Sequence, residues 1–165
     1  MLREVGLSKN VAGRLFLRRM PGRYSMYAHA CREILGNRID RVVSLAPLEE
    51  ISIKSPDYAK AIATDRVQWK LEMFPIPDFG VPDDREAFLQ LAKSVGGYLS
   101  EGERLLIHCG AGVGRTGTLA TCVLLALGES LEKARTAVQA AGSSPETPEQ
   151  RELVSWAASQ LSSNK

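Results

Sequence analysis

Short apolar runs alternate along the chain with longer stretches in which apolar residues recur every three or four positions. The runs suit buried strands and the stretches suit helices with one packed face. Their order therefore predicts an α/β domain with a largely parallel central sheet flanked by helices. Arg14–Leu17 and Arg41–Leu45 predict strands, separated by a helix over about Tyr27–Leu35 that Gly36 would terminate. Val67–Phe74 predicts another strand. The following PIPDFGVPDD holds three prolines and a glycine, which exclude regular structure and leave an exposed loop. It leads into a helix near Arg85, with Asp83 or Asp84 as cap. Leu105, Leu106 and Ile107 form a short buried strand that runs at once into the glycine-rich CGAGVGR and an apolar helix over Arg115–Leu127. A helix over Leu131–Ala140, a polar break at GSSPE and a last helix from about Pro148 complete the pattern. No linker divides it, so residues 1–165 predict one domain.

Composition narrows the class. A net charge of +2 without a dense basic stripe gives no reason to expect nucleic acid or a membrane surface as partner. No apolar run reaches the roughly 18 residues that span a bilayer, and MLREVGLSKN lacks the apolar core of a secretory signal, so a cytoplasmic location is expected. Cys31, Cys109 and Cys122 are odd in number and widely spaced, as suits free thiols in a reducing compartment. With only His29 and His108 besides, no metal-ligand spacing is present, and no metal or other cofactor is expected.

The chemistry concentrates in HCGAGVGRTG. Gly110, Gly112 and Gly114 allow backbone angles closed to other residues, so that successive N–H groups of residues 110–115 converge on one anion. The helix beginning at Arg115 adds its positive end, and a cysteine at the mouth of such a nest is favoured as thiolate, the nucleophilic form. Arg115 follows Cys109 by six positions, and its planar fork suits two oxygens of a tetrahedral phosphate. Thr116 offers a hydroxyl to the cysteine sulfur. Gly110, Ala111, Gly112, Val113, Gly114, Arg115 and Thr116 are thus the expected phosphate-binding residues.

Rival readings of the same residues are weaker. A merely buried core cysteine needs neither alternating glycines nor an arginine at that offset. Gly112, Gly114 and Gly117 fit G-x-G-x-x-G, but a dinucleotide fold opens with this element, whereas fewer than 50 residues follow it here. A Walker loop lacks its G-K-[ST].

HCGAGVGRTG resembles the HC-x5-R-[ST] signature of the protein tyrosine phosphatase superfamily at every defining position. IPDFGVP resembles that superfamily's acid loop, with Asp78 at the acid position and Ile76 where many members have tryptophan. Short length, the RMPG turn and the APLEE segment look like the small dual-specificity group, especially the branch around the cyclin-dependent-kinase-associated phosphatase. The similarity spans about residues 14–160. It implies a phosphorylated protein or peptide as substrate, attack on phosphorus by Cys109, phosphate binding by Arg115, and protonation of the leaving oxygen by Asp78, which then activates water. Alone, Asp78 reads as a turn-capping residue; paired with the cysteine loop it reads as the acid. The other readings of this resemblance are a non-catalytic phosphopeptide-binding relative and a phosphoinositide phosphatase. The uncharged side chains between Cys109 and Arg115 argue against the second, and the shortness of the chain favours dual specificity.

Several residues divide between function and structure. Gln150 stands where some relatives position water, yet Thr147, Pro148 and Gln150 also form a capping box, the reading favoured on local physics. Glu49 and Glu50 read as exposed carboxylates, one of which would brace Arg115 if it reached it. Cys122 reads as core and Cys31 as a helix residue without a redox motif. Arg14, Arg18, Arg19 and Arg23 read as a solvated basic face.

Overall fold

The computed structural model describes residues 1–163. In chain order its elements are β1 (Arg3–Val5), β2 (Arg14–Arg18), α1 (Tyr27–Gly36), β3 (Arg41–Ser44), α2 (Leu48–Lys54), α3 (Pro56–Ala63), β4 (Lys70–Met73), α4 (Arg85–Ser100), β5 (Arg104–His108), α5 (Gly114–Ala126), α6 (Leu131–Ala140) and α7 (Pro148–Ser162). The strands form one sheet in the order β1-β2-β5-β3-β4, antiparallel between β1 and β2 and parallel elsewhere. This is the expected α/β architecture.

Alternation along the strands divides the core in two. Leu15 and Leu17 of β2, Val43 of β3, and Leu105 and Ile107 of β5 face α4–α7, whereas Phe16, Val42 and Leu106 face Ile34 of α1, Ile51 of α2 and Tyr58 of α3. Helix α5 is buried from Gly114 through Leu125, because α4, α6 and α7 surround the side not turned to the sheet. That enclosure explains its nearly continuous apolar sequence. Each fully buried leucine here adds about 1.5–3 kcal/mol of transfer free energy.

Some elements depart from expectation. Strand β1 is three residues long, too short for alternation to register, and is held at the sheet edge by its ladder to β2 and by a Glu4–Arg14 ion pair. Helices α2 and α3 were hidden by their seven- and eight-residue lengths, with Ser55 and Pro56 breaking one from the next. Strand β4 keeps only Lys70–Met73 of the expected Val67–Phe74, since Trp69 turns into the core before pairing begins. Gly36 is the last residue of α1 and Asn37 its cap; α5 begins one residue early, at Gly114. Asp84, not Asp83, caps α4, accepting from the Ala87 N–H at 2.9 Å.

The parallel register sends the carboxyl ends of β2, β5 and β3 to one edge, where loops diverge toward helices on both faces. Such an edge is where open α/β sheets hold ligands. Among the described residues no helix is long and apolar enough to cross a membrane.

Candidate active site

Cys109 follows directly on the central strand β5 and is buried, 2% exposed, beneath the glycine loop. Its Sγ accepts the Gly112 N–H at 3.2 Å. His108 is also buried, with Nδ1 3.2 Å from the Cys109 carbonyl and Nε2 3.1 Å from the Tyr58 hydroxyl. A carbonyl only accepts, so Nδ1 donates to it and Nε2 accepts from Tyr58. Burial pushes the His108 imidazole from its ordinary 6.5 down to about 4, against the opposing effect of the carbonyl bond, so the ring is neutral. A neutral histidine with one fixed tautomer thereby anchors the peptide at Cys109.

Of the three loop glycines only Gly112 has a left-handed backbone, φ +74°, and a Cβ there would strike the Arg18 carbonyl. Gly110 and Gly114 are small for a different reason. A Cβ on Gly110 would lie 2.5 Å from Glu50 Oε1 and 2.9 Å from Arg23 Nη1, and one on Gly114 would meet the Glu146 carboxylate. The Gly112 carbonyl accepts from Arg3 Nη2 and from Ser143 Oγ, both at 2.6 Å. In a planar trans peptide the N–H points opposite to the C=O, so these two donors also set the direction of the Val113 N–H. Arg3 comes from β1 and also donates to the Gly142 carbonyl at 2.6 Å. Neither Arg3 nor Ser143 carries any local sequence signal of this role.

Arg115 is 2% exposed at the start of α5, and four of its N–H groups are engaged. Nη1 donates to Glu50 Oε2 at 2.7 Å and to the Ile76 carbonyl at 2.9 Å; Nη2 donates to Glu50 Oε1 at 3.0 Å and to Asp78 Oδ1 at 2.7 Å. Burial disfavours the guanidinium, but Glu50, Cys109 and Asp78 outweigh it and raise Arg115 above its ordinary value. Glu50 is the carboxylate that reaches Arg115, and Glu49 stays exposed. Glu50 was expected to be exposed; the first turn of α2, unforeseen, folds it inward to 12% exposure. Burial pushes its carboxyl up, but hydrogen bonds and charges from Arg115 and Lys54 prevail and hold it at about 2.

Lys54, four residues after Glu50 on α2, was missed by sequence reasoning. Its Nζ donates to Glu50 Oε1 at 2.7 Å and to Asp78 Oδ2 at 3.3 Å. Only the i,i+4 Glu–Lys pairing gave a signal of it. Asp78 itself is half-exposed in the turn that Pro77 and Gly80 close, beside Phe79, whose backbone is left-handed at φ +59°. Arg115, Glu50, Lys54 and Asp78 thus form a charge cluster two residues on each side.

Thr116 Oγ1 is buried without a hydrogen-bond partner among the described residues, so the expected bond to the Cys109 sulfur is not formed. Gln150 is a cap, as favoured: its Oε1 accepts from the Glu146 and Thr147 N–H groups while Thr147 Oγ1 accepts the Gln150 N–H. Its Nε2 also donates to the Gly80 carbonyl at 3.0 Å, which ties α7 to the Asp78 turn. Cys122 is core, and Cys31 lies on α1 without a bonded partner cysteine. The basic face is corrected at Arg18, which is buried and pairs with Glu33 at 3.1 Å; Arg14 and Arg19 are exposed and Arg23 half-buried.

Residues 25–160 match the family model PTP-SAK, described as a Swiss Army Knife protein, DSP-PTPase phosphatase domain. Among solved structures the chain is similar to kinase associated phosphatase carrying serine in place of its catalytic cysteine, with TM-score 0.82 and 20% identity over 98% of this chain and 96% of that one. It is similar to Tk-PTP in its active form, with TM-score 0.71 and 27% identity over 93% and 99%. It also resembles PTPMT1 in complex with PI(5)P, with TM-score 0.73 and 15% identity over 95% and 97%. The first and third likenesses are of fold. The family match covers well over half of the chain: it belongs to the PTP-SAK family of DSP-PTPase domains and is a protein tyrosine/dual-specificity phosphatase.

Proposed function

We propose that the protein hydrolyses phosphotyrosine and phosphoserine or phosphothreonine esters on proteins through a phosphocysteine intermediate on Cys109. The thiolate attacks phosphorus, forming an S–P bond as the P–O ester bond breaks, and Asp78 passes its proton to the departing oxygen. Water then attacks phosphorus, Asp78 takes up the water's proton, and the S–P bond breaks to release inorganic phosphate and restore the thiolate. Arg115, with the N–H groups of residues 110–115, carries the phosphoryl oxygens through both steps. Glu50 holds the guanidinium in place by two parallel bonds, leaving its Nη2 edge toward Asp78 to meet phosphate.

The observation that carries this reading is the convergence of three groups at one strand edge. A buried cysteine sulfur accepts a loop N–H, an arginine closing the same loop is braced by a carboxylate, and an aspartate from another loop contacts that arginine. A binding module needs the cradle but not a nucleophile and an acid. The three unpaired cysteines support a reducing, cytoplasmic setting. The reading is tested by steady-state hydrolysis of matched phosphotyrosine, phosphothreonine and soluble phosphoinositide substrates, with and without chelator. Turnover of both phosphopeptides, unaffected by chelator, is expected. A marked preference for the inositol headgroup would replace the phosphoprotein assignment, and binding without turnover would make the protein a phosphopeptide reader.

A further inference from the structure

The loop from Cys109 to Arg115 carries no charged side chain of its own between those two residues, yet other elements surround its outer rim with arginines. A cavity of about 630 Å³ opens beside Ala111 and Val113, lined by Arg3, Arg18, Arg19 and Tyr24 among others, with no acidic residue in its wall. Arg19 and Arg23 both lie against the Tyr24 ring, their guanidinium carbons 4.9 and 4.7 Å from its centre. Arg23 extends from this stack to the edge of Gly110, so the basic ledge is continuous with the catalytic loop.

Little neutralises this charge. Among the described residues Arg3, Arg19 and Arg23 form no ion pair, and Arg18 has only Glu33. Arg18 is 4% exposed, and its Nε and Nη1 are buried without a partner. Burial chiefly, and next the charge of Arg19, lower Arg3 below its ordinary value, against the opposing effect of Cys109. Such a pocket is improved by an anion from outside the chain. Of the arginines lining the cavity, Arg19 is the exposed one that can offer it direct hydrogen bonds, since Arg3 is engaged by the Gly112 and Gly142 carbonyls and Arg18 is buried beside Glu33.

We infer that this ledge is a substrate subsite for a second anionic side chain, phosphorylated or carboxylic, close in sequence to the scissile phosphorylated residue of a protein substrate. The inference rests on the phosphoprotein phosphatase reading above and adds the chemistry of the substrate's neighbours. A peptide suits it better than a lipid headgroup: the wall mixes its arginines with the Tyr24 ring, Met20 and the Ser25 hydroxyl, surfaces for side-chain and main-chain atoms. The loop itself carries no charged side chain between Cys109 and Arg115 to meet further phosphates of a ring.

The test is catalytic efficiency on one phosphotyrosine peptide carrying alanine, glutamate or a second phosphorylated residue at each neighbouring position in turn. A soluble inositol bisphosphate serves as a further arm. At the best position the doubly phosphorylated peptide is expected to exceed the alanine peptide by roughly tenfold or more, with glutamate between them, mainly through KM and with the gain falling as salt rises. Arg19→Glu should reduce that ratio to near one and Arg19→Lys should retain most of it. Equal efficiencies on all peptides in the wild type, or an unchanged ratio in Arg19→Glu, overturn the subsite while leaving the phosphatase reading intact. Turnover of the inositol bisphosphate in preference to every peptide, or of no peptide at all, removes both.

Discussion

Arg115 Nη2 donates to Asp78 Oδ1 at 2.7 Å, which joins the proposed acid to the proposed phosphate clamp. In the proposed mechanism arriving phosphate takes the place of the Asp78 carboxylate on Arg115 and leaves the acid beside the ester oxygen. Asp78→Asn should lower turnover of alkyl phosphate esters by roughly 10²–10⁴-fold, since general acid catalysis is lost. It should also tighten binding of vanadate or inorganic phosphate, because a neutral amide competes less well for the guanidinium. Inhibition constants measured with wild type and variant check this; weaker vanadate binding in the variant would contradict the displacement.

Glu50 holds both Nη atoms of Arg115, so Glu50→Gln removes charge while keeping shape. Breaking a buried, charge-assisted pair leaves the arginine under-compensated and should cost about 2–4 kcal/mol of stability by chemical denaturation. Turnover should fall as well. If turnover falls because the clamp is misplaced, KM for phosphopeptide rises with it; a change in stability alone would make Glu50 a structural partner only.

Acid sensitivity follows from two depressed groups. His108 titrates at about 4 in the fold against an ordinary 6.5, so below 6.5 the unfolded chain takes up a proton that the folded one refuses. Stability is complete above pH 6.5 and declines toward pH 4, by up to about 3 kcal/mol from this residue. Glu50, held at about 2 against 4.5, continues the decline from pH 4.5 toward pH 2. Unfolding at stepped pH should show the first slope in the wild type and lose it in His108→Gln. An unchanged slope between pH 6.5 and 4 in that variant would contradict the assignment.

Burial pushes the Cys122 thiol up to about 12, so it is inert at neutral pH while folded. In Cys109→Ser protein, iodoacetamide at pH 7 followed by peptide mass analysis should leave Cys122 unmodified until denaturant is added. Labelling of Cys122 in the native protein would show that α5 opens.

What could be read from the sequence was local. The spacing from Cys109 to Arg115, the glycines between them and the strand before them lie within one continuous segment, and the Asp78 loop is marked by its own prolines. The sheet followed from apolar runs as short as Leu105–Ile107. Arg3 and Ser143 carry no such mark, and Lys54 only its spacing from Glu50, because the sheet order and not the chain brings them to the loop; α2 and β1, which deliver Lys54 and Arg3, are too short to show a period. The arginines around Tyr24 looked like an ordinary solvated face for the same reason. Only packing reveals that Arg18 is buried and that Arg19 and Arg23 share one ring.

The proposed mechanism requires that phosphorus be bonded to the Cys109 sulfur during turnover. Rapid acid quench of the protein with a phosphopeptide, followed by peptide mass analysis, measures it most directly. One added phosphoryl group is expected on the peptide containing Cys109, discharged by water, and absent from Cys109→Ser together with all but residual turnover. A phosphoryl group on another residue, or phosphate release by Cys109→Ser at the wild-type rate, would contradict it.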